Sequence, residues 1–186
     1  MWRTPKLYLH KGFFVIVWIY QIIIISTEVI LKMKEYSRKS IRLKNYDYSS
    51  NGGYFITICA QNKLPLFDQL EVNEMIVKWI LKTEEKFEAI SVDCFVVMKD
   101  HIHMIIIINE SEKVNLIEVI DWFKTMTTNE YIRGVRSGAY KPFDKKLWQR
   151  SYYDHVIRNS ADLEEKRNYI LSNPGKEFER STYIKI

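Results

Sequence analysis

Cysteine is scarce in this chain: two residues in 186, too few for a disulfide framework or a cysteine-based zinc site. Cys59 and Cys94 both lie in apolar, strand-like runs, so buried free thiols are expected. Six glycines and four prolines exclude collagen-like and low-complexity chains, and no segment repeats at a solenoid period. A large excess of one charge is also lacking. The net charge is +5, and residues 1–32, with Arg3, Lys6, Lys11 and Lys32 against Glu28, account for +3 of it. The rest of the chain therefore carries only +2, and nucleic-acid contact would have to use local patches rather than a broadly basic body. The clearest patch is Lys32, Lys34, Arg38, Lys39, Arg42 and Lys44, opposed only by Glu35.

A long uninterrupted apolar run is missing as well. Residues 13–25 read FFVIVWIYQIIII, broken by Gln21 and shorter than the ~20 residues of a spanning helix. Extension to Leu31 brings in Ser26, Thr27 and Glu28. No small-x-small cleavage site follows, which argues against a cleaved signal peptide. A membrane anchor and an atypical extension are the two readings. The second is the expectation: an apolar extension over 1–32, then a domain over 33–186 that opens at Met33, is cytoplasmic and makes no membrane contact.

What is abundant is apolar and aromatic side chain, 47% and 14% of the chain, enough for one domain with a core. Asn, Asp, Ser and Gly over 46–53 mark a turn. YFITICA at 54–60 is a strand. From Asp68 to Ile90 the apolar residues recur at helical spacing. Val92–Met98 and His101–Asn109 are two strands joined by Lys99–Asp100, a hairpin. Residues 114–133 form a second helix, 134–146 a loop, and 147–157 contain a fourth strand. Ser160 can cap a last helix running to Asn173 and stopped by Pro174–Gly175. The order β-α-β-β-α-β plus a helix predicts an α+β fold, a ferredoxin-like split βαβ antiparallel sheet with helices on one face and a further C-terminal helix.

His101 and His103 flank Ile102. On a strand, positions i and i+2 project to one face, so two imidazoles can bite one cation. They can equally be surface histidines, but only four histidines exist and this pair opens a solidly apolar run, Met104–Ile108. Tyr169 and Asn173 are four apart on the last helix and share a face, an oxygen nucleophile beside a neutral oxygen ligand. A core tyrosine beside a helix-terminal asparagine fits the same spacing. Residues 147–159, LWQRSYYDHVIRN, crowd Trp148, Tyr152, Tyr153 and His155 with Arg150 and Arg158; such a set can stack on bases and meet phosphates, or form a strand with an aromatic core face. Lys124 and Arg133 on the second helix can contact phosphate or face solvent.

Together these segments resemble the REP-associated tyrosine transposases of the single-tyrosine HUH superfamily, which are IS200-like. The carriers are RKSIRLKNYDYSSNGGYFITICAQNK at 38–63, VMKDHIHMIII at 97–107, FKTMTT at 123–128, WQRSYYDHVIRN at 148–159 and NYILSNPGK at 168–176. The resemblance implies that His101 and His103 are metal ligands, Asn173 a third, polar one, and Tyr169 the nucleophile. It implies Mg2+ or Mn2+ as cofactor, although paired imidazoles would also suit zinc or nickel. It further implies single-stranded or hairpin DNA as substrate, with Arg38, Lys39, Arg42, Lys124, Trp148, Arg150, His155 and Arg158 as DNA contacts, and a second copy of the chain as a partner. His155 is also a candidate general base. One departure is local: the family usually reads Met-Pro-Asn before the first histidine, and this chain reads Met98-Lys99-Asp100. The alternatives are a non-catalytic hairpin-binding protein on the same scaffold and a membrane-anchored protein using residues 13–31.

Overall fold

The computed structural model describes residues 46–109, 114–172 and the strand Thr182–Ile184. Five strands and three α-helices are seen among them: β1 Gly52–Cys59, α1 Leu70–Lys86, β2 Ile90–Val97, β3 His101–Ile108, α2 Leu116–Arg136, β4 Tyr153–Ile157, α3 Ser160–Ser172 and β5 Thr182–Ile184. They form one antiparallel sheet in the order β4-β1-β3-β2-β5. The first four strands have the predicted split βαβ arrangement. The added strand β5 pairs with β2 at the far edge and was not foreseen.

Alternation along the strands sorts side chains onto two faces. Tyr54, Ile56 and Ile58 of β1 join Ile102, Met104, Ile106 and Ile108 of β3 in the main core. That core is closed by Val72, Met75, Ile76 and Ile80 of α1 and Leu116, Val119, Ile120 and Phe123 of α2. The opposite face carries a smaller apolar cluster of Phe55, Cys94, Val96, Ile105 and, from α3, Ile170. Two helices thus cover one face and α3 lies on the other. The register of β2 shifts between Val92 and Cys94. This bulge at Asp93 reverses the parity of the strand, so Phe95 and Val97 enter the main core while Cys94 and Val96 face α3.

Local chemistry fixes the helix ends. The Asn115 side chain accepts the Ile117 N–H at 2.9 Å and caps α2. Gly138, at φ +77, lets the chain turn out of that helix while its N–H reaches the Val135 carbonyl. For α3 the cap is Asn159 rather than the expected Ser160: its side chain accepts the Asp162 N–H at 2.9 Å, and Ser160 is already helical. The fourth strand is shorter than the 147–157 window, because residues 147–152 form a loop joined to the end of β1 by the isolated Ala60–Trp148 bridge and the Gln149–Cys59 hydrogen bond rather than by a continuous ladder. Among the described residues no helix is long and apolar enough to cross a membrane.

Candidate active site

The histidine pair stands on the α3 face, at the first turn-proximal residues of β3. The hairpin turn beneath it is pinned from β1 and the following loop: Ala60 N–H donates to the Asp100 carbonyl at 2.8 Å and Phe67 N–H to the Lys99 carbonyl at 2.9 Å. These bonds fix the turn at Lys99 and Asp100. Register places Cys59 opposite His101 and Thr57 opposite His103.

Each imidazole has a partner for its inner nitrogen. His101 Nδ1 lies 2.6 Å from Asp100 Oδ1, and His103 Nδ1 lies 2.8 Å from Thr57 Oγ1. The two Nε2 atoms converge to 3.1 Å. A carboxylate can only accept, so His101 carries its proton on Nδ1 and turns an Nε2 lone pair toward His103. The Thr57 hydroxyl rotates. When it accepts from His103 Nδ1–H, both Nε2 lone pairs point into the same gap, a bite for one cation. When it donates instead, His103 Nε2–H closes the gap by donating to His101. Burial, aided by the neighbouring His101 and opposed by Asp100, depresses the His103 pKa to about 4. His103 is therefore neutral near pH 7 and able to act as a donor atom.

Tyr169 stands against this pair. Its ring meets His103 edge-on at 5.2 Å between centroids and Phe55 edge-on at 5.7 Å, while Phe55 stacks on His103 at 5.4 Å. The Tyr169 side chain is half open to solvent, at 49% exposure, while its neighbour Ile170 is fully buried. Two charged anchors hold α3 in place. Arg167 grips Asp93 at the β2 bulge through Nε and Nη2, at 2.8 and 2.5 Å. His155 Nε2 on β4 meets both Asp162 oxygens at 3.0 Å.

Among the described residues no group of three or more His, Cys, Asp or Glu gathers to hold a metal. The described donors fit a divalent cation as a two-imidazole bite, with its remaining positions left to oxygen ligands. Asn173, expected as one of these, lies outside the described residues, as do the Arg38, Lys39 and Arg42 patch, the apolar extension and the Pro174–Gly175 stop.

The residues expected to contact DNA divide on inspection. Trp148 is only 4% exposed; it packs on Phe67 and Phe123 and donates its indole N–H to Thr127 Oγ1 at 2.9 Å. Its ring is core, and it does not offer a face for a base. The Lys124 ammonium donates to the carbonyls of Gln149 and Arg150, at 2.7 and 3.0 Å. His155 is the anchor of α3 just described, which occupies its Nε2. Arg150 and Arg158 are exposed. Tyr152 is buried in the main core, whereas Tyr153, 50% exposed, is paired with Thr57 and shares the histidine face. Reasoning from sequence missed Thr57, Phe55 and Asp100. For Asp100 the signal was its place beside His101; for Thr57 and Phe55 it was the two-residue period of β1, uninformative until the pairing with β3 is known.

The family described as Transposase IS200 like matches residues 48–173. A Haemophilus influenzae protein of uncharacterised function is 35% identical over 161 residues, covering 74% of this chain and 88% of its own length. A second protein of that species, provisionally named a REP-associated tyrosine transposase, is 29% identical over 140 residues, covering 72% of this chain and 77% of its own length. Among solved structures, a REP-associated tyrosine transposase bound to a REP hairpin aligns at a TM-score of 0.55 and 22% identity, over 73% of each chain.

Proposed function

Because this chain belongs to the IS200-like transposase family, we propose that it cleaves and rejoins single-stranded DNA beside a hairpin, using Tyr169 as nucleophile and His101 and His103 as ligands of a divalent cation. The observation that carries the reading is the convergence of the two Nε2 atoms, 3.1 Å apart, beside a half-exposed tyrosine ring. The relatives' names and the hairpin-bound neighbour favour hairpin DNA as the partner.

His101 and His103 would hold the cation, with Asn173 as a further oxygen donor; Mg2+ or Mn2+ is the ion we favour. When bound, such an ion polarises the scissile phosphate and orients it. Asp100 would keep His101 in the required tautomer, and Thr57 would orient the His103 ring and accept from its Nδ1–H when the cation is bound, since outer partners of ligating histidines set ring orientation. In the chemical step the Tyr169 Oη attacks phosphorus. An Oη–P bond forms as the P–O3′ bond breaks, leaving a 5′-phosphotyrosine and a strand ending in 3′-OH. The phenolic proton must leave, since a free tyrosine has a pKa of about 10; the departing 3′ oxygen takes up a proton in turn. Attack by another 3′-OH reverses the exchange and restores Tyr169, so the phosphodiester bond energy is kept. Phe55 confines the tyrosine ring from below, which positions Oη without using it.

The test is incubation of the full chain with labelled hairpin DNA carrying a single-stranded flank, with and without Mn2+. A covalent adduct that peptide mapping places on Tyr169, and that disappears in the His101→Ala/His103→Ala double variant while hairpin binding persists, is the expected result. Binding without any adduct would favour a non-catalytic hairpin-binding protein instead.

A further inference from the structure

A second feature lies around the sheet from the histidines. A cleft of about 550 Å3 opens between the middle of α2 and the loop before β4. Its rim carries Lys145, Lys146 and Arg150, all exposed, and Asp121 is the one acid on its lining. Among the described residues none of these three cations forms an ion pair. With Asp144 beside Lys145 and Asp121 on the lining, the three cations still outnumber the acids on this rim, and other contacts hold the loop in place.

It is held with unusual thoroughness for a segment lacking regular structure. Gln61 N–H donates to the Leu147 carbonyl at 2.8 Å, and Gln149 N–H to the Cys59 carbonyl at 2.9 Å. Lys124 clamps the carbonyls of Gln149 and Arg150 from α2, and Trp148 is sunk into the core with its N–H on Thr127. Lys145 sits at φ +59, a left-handed kink that a lysine rarely adopts. The core-facing side of the loop is thus fully used for anchoring, and the side left over is cationic. A loop whose backbone is already anchored loses little further backbone freedom when its cations meet an anion.

The position of the cleft favours one source for that anion. Gln149 is bonded to Cys59, and Cys59 is the register partner of His101. The cleft therefore begins at the same end of the sheet as the histidine pair, one strand edge away. Its volume suits a nucleotide-sized ligand and is too small for a duplex. The Asn129 amide on the lining adds a donor and an acceptor for a base edge or sugar.

We propose that this cleft is a track for the single-stranded DNA flanking the hairpin, in which Lys145, Lys146 and Arg150 take successive phosphates of the strand whose cleavage site lies at His101, His103 and Tyr169. The inference rests on the strand-transfer reading above. It also gives Lys124 and Trp148 a positioning role: they build the wall that the strand contacts.

The experiment compares wild type, Lys145→Glu/Lys146→Glu and Lys145→Gln/Lys146→Gln on two probes, a hairpin with a single-stranded flank and the same hairpin blunt-ended. For the flanked probe, affinity should fall about tenfold or more in the Glu pair, and the salt dependence should flatten by about 0.7 per lost phosphate contact in either pair. The blunt probe should bind as before. Equal weakening of both probes, or an unchanged slope on the flanked probe in the soluble Gln pair, would overturn the track. Adduct formation by wild type is read in the same tubes. An adduct on Tyr169 with unaltered variant binding removes the cleft alone, whereas flank-specific weakening without any adduct removes the strand-transfer reading and leaves the cleft.

Discussion

Thr57 and His103 face each other across β1 and β3, and the threonine hydroxyl reaches His103 Nδ1 at 2.8 Å. The direction of this hydrogen bond is tied to which imidazole nitrogen of His103 holds the proton: an accepting hydroxyl leaves the Nε2 lone pair free for a cation. Thr57→Val keeps the branched shape and removes the hydroxyl. Stability should fall by about 1 kcal/mol, while affinity for Mn2+ should drop about 10–100-fold, as is usual for the outer partners of ligating histidines. Calorimetric titration with Mn2+ checks it; unaltered affinity would mean that Thr57 does not orient a ligand.

The depressed pKa of His103 makes a stability prediction. In the folded chain it titrates at about 4 against 6.5 when unfolded. Below pH 6.5 the unfolded chain therefore binds the extra proton, so stability is intact above 6.5 and declines as pH falls toward 4. The full loss is about 3 kcal/mol, from 1.36 kcal/mol per pH unit. Urea midpoints of metal-free protein, compared with those of His103→Asn, isolate this share from the carboxylates. Parallel pH profiles for the two proteins would show that His103 is not buried in neutral form.

Tyr169→Phe removes one oxygen from a half-exposed ring, so folding should change by less than about 0.5 kcal/mol. The covalent adduct should vanish while hairpin affinity is kept. Tyr153→Phe is the needed companion, because Tyr153 is equally exposed and stands on the same sheet face opposite Thr57. Among the described residues Tyr153 makes no ring contact with His103, whereas Tyr169 does. An adduct that survives Tyr169→Phe and is lost in Tyr153→Phe would reassign the nucleophile.

Arg167 ties α3 to the β2 bulge through Asp93. Arg167→Ala should cost about 1–3 kcal/mol, as for a hydrogen bond between charged groups. It should also slow adduct formation at saturating DNA more than it weakens binding, since the helix carries the tyrosine and the sheet carries the histidines. An adduct rate equal to wild type would mean that the smaller apolar cluster alone positions α3.

Much of this was legible in the sequence because it depends on period. The β-rich and apolar runs of β1 and β3 announced strands, the i, i+2 spacing put His101 and His103 on one face, and the 3.6-residue spacing announced α1 and α2. What depended on partners was hidden. The parity reversal at Asp93 needs β3 beside it to exist. Trp148, with arginine and tyrosine neighbours, has the composition of a base-stacking segment, and composition does not report which way a ring points. Lys124 has the look of a solvated helix cation until the carbonyls of Gln149 and Arg150 arrive from another part of the chain. Asn159 and Ser160 are both good caps, so the helix start was uncertain by one residue. Strand β5 has only three residues, too few for a pattern.

The alternation along β1 and β3 sets how such a chain can diverge. Consecutive residues serve different ends: Ile102 and Met104 are core, while the histidine between them faces α3. Point substitutions at Phe55, Thr57 or Ile105 can therefore retune the chemistry without touching the main core. A single-residue insertion or deletion in either strand is another matter. Unless a bulge absorbed it, it would exchange the two faces for every residue beyond it, turning isoleucines toward α3 and imidazoles toward the core. Descendants of this scaffold should accordingly vary in length in the loops, and hold strand length fixed even where catalysis has been abandoned.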